Sequence, residues 1–142
     1  MKRLPLFLIC LLSICACNRE KSVPGKAETP QAIILSTTIA PNSALHMSIS
    51  FDPSPPRMSS KTKFHVELKD LSGAPVESAG VQVSLVMPLM DMGKNEFTLQ
   101  PAGKAAYEGA GQFTMSGEWE VIVSAAAVGK SGKTTFNVRV ED

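Results

Sequence analysis

The chain has 142 residues, 44% of them hydrophobic and 19% charged, with 14 Lys and Arg against 13 Asp and Glu. This is the make-up of one ordinary globular domain with room for a leader, and it excludes a collagenous or wholly disordered polymer. The near-neutral balance, with no run of five like charges, argues against nucleic acid as a partner and against electrostatic steering. In chain order, Met1, Lys2 and Arg3 precede the uncharged run LPLFLICLLSICA, Leu4 to Ala16. A basic start followed by an apolar stretch too short to span a bilayer as a helix is expected to be an export signal, residues 1–16. The three cysteines, Cys10, Cys15 and Cys17, all fall in or at the end of this leader. The exported part should therefore hold no internal disulfide and no thiolate metal site. Losing Lys2 and Arg3 takes the 14 basic side chains to 12, against 13 acidic ones.

The stretch ICAC, Ile14 to Cys17, followed at once by the polar NREKS, resembles the lipobox of bacterial lipoproteins. The resemblance implies that Cys17 becomes the acylated first residue and anchors the protein in the cell envelope, facing the periplasm or the exterior. Cleavage by ordinary signal peptidase after Ala16 is the alternative. Several acyl chains hold stably where one holds marginally. Residues 17–42 then read as a lipidated N-terminus and flexible spacer, with Pro24, Gly25, Pro30 and Pro41 among polar residues. One apolar, β-branched piece interrupts it: AIILSTTI, Ala32 to Ile39, is either an extra edge strand or a loosely packed segment.

From residue 43 to 142 a period of two takes over. Leu45, Met47, Ile49 and Phe51 share one face of a strand, opposite His46, Ser48 and Ser50. Pro53, Pro55 and Pro56 then break the ladder, because proline cannot donate to it. Phe64, Val66 and Leu68 face inward on the next strand, as do Val81, Val83, Leu85 and Met87 on the one that stops at Pro88. NEFTLQPAG and KAAYEGAGQFTM read as two or three short strands cut by Gly103, Gly109 and Gly111. Trp119, Val121 and Val123 alternate with Glu118, Glu120 and Ile122, and GKSGKTTFNVRV supplies a turn and a closing strand. No stretch carries a 3.6-residue stripe. About seven short strands between turns predict an all-β fold, a small immunoglobulin-like antiparallel β-sandwich. Trp119 should anchor its core.

Four separated phrases, SISFDPSPPR, KFHVELKDLSGAPVESAGVQVSLVMPLMDM, YEGAGQFTMSGEWEVIV and GKTTFNVRV, resemble the YtkA-like domain of bacterial envelope proteins. They are also similar to FixH-type domains, in which a Met-Pro-x-Met segment follows the third strand and Gly-x-Trp opens a later one. The resemblance covers about residues 44–140. It implies an immunoglobulin-like module in company with copper-handling, efflux or oxidase-assembly proteins, with the membrane as a further partner through the anchor. Relatives often carry a histidine or another methionine just after this segment, where this chain has Gly93, Lys94 and Asn95.

MPLMDMG, residues 87–93, is the segment with chemistry to offer. Thioether sulfur is a soft ligand that suits Cu(I), and Pro88 and Gly93 could turn Met90 and Met92 back toward Met87. The alternative is packing, since Met87 continues the inward set and methionine fills irregular core ends. His46 and His65 both sit on the polar faces of their strands; either their rings approach across paired strands, with His46 joining the methionines, or they are two solvated residues. Met47 and Met115 fit core positions, while Met58 either caps the sandwich end or joins the cluster. No nucleophile elbow, zinc-protease helix or phosphate-cradling loop occurs, so no enzyme is expected. Two roles remain open: a Cu(I)-binding accessory of a copper or efflux system, or a metal-free interaction module of a membrane assembly.

Overall fold

The computed structural model describes residues 34–91, 93 and 95–142. The export signal, Cys17, the spacer to residue 33 and Met92 lie outside the described residues. Within them there is no helix, and eight strands follow in order: β1 (Ile34–Ile39), β2 (Leu45–Asp52), β3 (Lys61–Asp70), β4 (Gly80–Val86), β5 (Glu96–Gly103), β6 (Ala106–Gln112), β7 (Gly117–Ala127) and β8 (Lys130–Val140). Residues 34–39 of the segment left open between spacer and edge strand are thus a strand, β1, within the stretch expected to be spacer.

The strands form one antiparallel sheet in the order β1-β8-β7-β4-β5-β6-β3-β2. It closes on itself because β5 changes partner along its length: Glu96 to Leu99 pair with β4, and Gln100 to Gly103 pair with β6. One layer is therefore β1-β8-β7-β4 and the other β6-β3-β2, with β5 turning the corner. The alternation read from the sequence faces the space between. Phe64, Val66 and Leu68, then Val81, Val83 and Leu85, then Trp119, Val121 and Val123 are all buried. Trp119 is 1% exposed, packs edge-on to Phe113 with ring centroids 5.4 Å apart, and donates its Nε1–H to the Met115 carbonyl at 3.0 Å. Phe51, Phe64 and Phe97 extend the aromatic cluster.

Two glycines read as strand breakers are not. Gly109 and Gly111 lie inside β6, paired with Phe64 and Thr62 of β3. They serve as openings. A Cβ on Gly109 would lie 2.6 Å from Leu99 Cδ2, and one on Gly111 would lie 2.6 Å from Phe97 Cε1. The two side chains of the turning strand pass where β6 has no side chain of its own, a use of glycine that periodicity alone cannot distinguish from a turn.

The far end is tied by polar groups. Asp70 Oδ1 accepts the backbone N–H groups of Ser72 and Ala74 at 2.9 and 3.0 Å, and Oδ2 pairs with Lys130 Nζ at 2.7 Å. The Lys130 ammonium first, then the Ser72 hydroxyl and the Ala74 N–H, hold this carboxyl well below the ordinary carboxylate range. The buried Tyr107 hydroxyl donates to the Val76 carbonyl at 3.2 Å and accepts the Ala79 N–H at 2.8 Å, fixing the same β3–β4 connection.

Two outcomes follow from these contacts. Gly111→Ala should destabilise the domain by about 1–3 kcal/mol, the usual cost of overpacking a filled core, measured by urea unfolding. A depressed folded-state pKa stabilises above the unfolded value of about 3.9 and is lost as pH falls through the folded one. Asp70→Asn should thus lower the unfolding midpoint at pH 7, and the gap to the unsubstituted protein should narrow below about pH 4. A gap that stays constant with pH would contradict the assignment.

Candidate functional site at the methionine end

β4 ends, and β7 begins, at one end of the sandwich, which also gathers loop 53–60 and connection 113–116. Met90 N–H donates to the Met87 carbonyl at 3.1 Å, closing a turn over Pro88 and Leu89. Proline at the second turn position presets the backbone for this. Asp91 Oδ1 accepts the Gly93 N–H at 3.0 Å, and Leu85 N–H donates to the Asn95 carbonyl at 2.9 Å, which closes the base of the loop between β4 and β5.

The turn brings Met87 and Met90 opposite one another as a bridged pair. Met87 is half-buried and packs on the core, whereas Met90 is 51% exposed and Leu89, at the tip, 94%. Both methionines line a cleft of about 470 Å³ together with Pro88, Leu89, Gly117 and Glu118. Gly117 makes room for it: its φ of +126° lies where side chains are disfavoured, and a Cβ there would stand 3.2 Å from Met87 Cε. Glu118 points its carboxylate to Arg139, 3.1 Å away. Gly117 and Glu118 were not singled out from the sequence as site residues; the Gly-x-Trp phrase was the signal that marked the position.

The remaining candidates divide. Met58 and Met115 sit at this same end, 38% and 37% exposed, so Met115 is not the core residue its alternation suggested. Its position on the 113–116 connection, not on a strand, releases it from the period of two. Met58 is held by its N–H to the Glu141 carbonyl at 2.7 Å. Met47 packs on the core at the opposite end. His46 does not join the methionines. It follows Leu45, which pairs with Asp70, and Asp70 is bonded to Lys130 at the start of β8; Gly117 pairs with Val140 at its finish. The length of β8, roughly 30 Å at about 3.3 Å per residue, separates the two ends.

Nor do the two histidines approach. β2 and β3 are neighbours, but His46 pairs with Lys69 and His65 with Ser50, four residues apart along β3 and so about 13 Å. His65 instead lies 3.2 Å from Glu108 through Nδ1. The Lys63 ammonium, 2.6 Å away, and then His65 hold the Glu108 carboxyl below its ordinary value.

Two antiparallel layers with a chemically distinct loop at one end define a small immunoglobulin-like β-sandwich that presents thioethers. Residues 40–124 match the YtkA-like family, and the chain belongs to it. No curated protein and no solved structure matches the chain.

Proposed function

We propose that the protein is a lipoprotein of the bacterial envelope, anchored through Cys17, that captures Cu(I) at Met87 and Met90 with Met92 of the same loop as a further donor. Its role is binding, in support of a copper-handling, efflux or oxidase-assembly system. The single observation that supports this most is the shared cleft: the Met87–Met90 turn sets a half-buried and an exposed thioether on one opening. Soft sulfur suits Cu(I) and is a poor match for hard cations. Among the described residues no three His, Cys, Asp or Glu side chains converge on a point, and the one carboxylate on the cleft, Glu118, is paired with Arg139. Copper here is cargo, taken up at an open site and passed on by ligand exchange.

A second reading has its own support. Leu89, Met90, Met58 and Met115 expose apolar surface at one end, and methionine-rich surfaces adapt to varied partners. In that reading the same end docks a membrane protein without metal.

Competition for Cu(I) against a chelator of known affinity separates the two. The purified protein should compete, and Met90→Leu should bind at least about tenfold more weakly, or 1.4 kcal/mol. Equal, negligible binding by both would remove the copper reading. Partner capture that survives chelation and fails in Met90→Lys would establish the second. For the anchor, Cys17→Ser should abolish labelling by a fatty-acid analogue and shift the protein out of the membrane fraction; unchanged labelling would refute it.

A further inference from the structure

Two strands end the curled sheet, β1 in one layer and β2 in the other, and they are not level across the sandwich. Ala44 N–H donates to the Ser131 carbonyl at 2.9 Å. A Cβ on Gly132 would lie 3.0 Å from Leu45 Cβ and from Met47 Cε. β2 therefore lies over β8, and β1 projects one strand beyond it.

Burial agrees with this overhang, since all six residues of β1 are exposed although five of them pair with β8, with an irregularity at Leu35. Ile34, Thr37 and Ile39 pair with Val138, Phe136 and Thr134, which are buried toward the core. Cross-strand partners share a face. Ile34, Thr37 and Ile39 thus look across at a place in the second layer that none of the described strands fills. That place is one strand wide and is bordered by the edge of β2 that no described strand pairs.

We propose that β1 of a second copy fills it, in a reciprocal two-fold dimer. Direction fits: seven antiparallel pairings separate β1 from β2 around the sheet, an odd number, so the two run in opposite senses. A two-fold axis parallel to the strands, midway between the layers, carries β1 into the open place without reversing it, antiparallel to β2. Height fits as well. Ile39 pairs with Thr134, two residues beyond the Gly132 that touches Leu45 and Met47, so the rotated β1 lies beside the middle of β2.

Charge also fits. ILSTTI carries no charged residue, and β2 has no Lys, Glu or Pro before Asp52. Neither edge bears the charges or prolines by which proteins usually prevent strand addition, so β1 of one copy meets β2 of the other without like-charge repulsion. In the dimer each β2 gains a ladder partner, while Ile34 and Ile39 of the two copies close over one another about the axis. The contact is isologous, so assembly stops at two. It is independent of the copper reading, because it uses the side edge and leaves the methionine end open.

Sedimentation equilibrium of the full chain, in detergent matched for density, tests this. The protein mass should double reversibly with concentration. Thr37→Lys, which sets two like charges across the axis, should remain monomeric, while Thr38→Lys on the opposite face of the same strand should still dimerise. Because Thr37 is exposed, the unfolding midpoint of the dilute protein should not change; should it fall, Ile39→Gln replaces it as the inward-facing variant. A monomer at every concentration, growth beyond two, equal behaviour of the inward and outward variants, or pairing of β2 with another protein in place of a second copy would each overturn the dimer.

Discussion

The architecture depends on a close passage: Phe97 and Leu99 of β5 cross over Gly111 and Gly109 of β6, where any Cβ would meet them at 2.6 Å. β5 can leave β4 and join β6 only if its inward side chains have somewhere to go at the corner. Were β6 to carry inward side chains at those two positions, the corner would have to open. The layers could not then close on the aromatic cluster of Phe51, Phe64, Phe113 and Trp119, whose adjoining rings lie 5.3 to 6.5 Å apart. Two missing side chains thus turn a single ribbon of strands into a sandwich with an inside.

That closure sorts the chemistry by end. The end at which β3 finishes and β8 starts is polar and braced, with Asp70 holding two backbone amides and Lys130, and Tyr107 satisfying two backbone groups under the same connection. The other end carries the exposed Leu89, Met90, Met58 and Met115 beside the Glu118–Arg139 ion pair and is open to solvent. Met87 packs on the core, so the turn has a half-buried base while its tip stays exposed. A site that must accept and release a soft ion, or grip a variable apolar surface, needs this combination of firm support and open access. The side edge that β1 and β2 form among the described strands belongs to neither end, so the proposed dimer and end-on binding would not compete.

Much of this was legible in the sequence because burial follows the period of two. Phe64, Val66 and Leu68, or Trp119, Val121 and Val123, could be placed inward without any structure, and the class followed from them, with about seven strands expected where the described residues form eight. What failed had a physical cause in each case. Gly109 and Gly111 looked like breaks because a glycine that ends a strand and one that makes room for a neighbour are identical in one dimension. His46 stands open between the methionines and solvent in the sequence because sequence shows the face of a strand and not its register, and register puts it at the far end. Met115 left the pattern because it lies on a connection. The resemblance of four ordered phrases to the YtkA-like family carried the fold well, whereas Gly117 and Glu118 of the cleft were visible only as part of that family phrase.

The indole of Trp119 is sealed in the core yet donates its N–H to the carbonyl of Met115, on the connection that reaches the methionine end. It is the sole tryptophan of the chain. The protein therefore contains a built-in optical probe, a single emitter whose colour and brightness are governed by the hydrogen bond and packing just beneath the cleft. Events at that surface can be followed by intrinsic fluorescence, with no dye attached and no competing chromophore of the same kind to subtract.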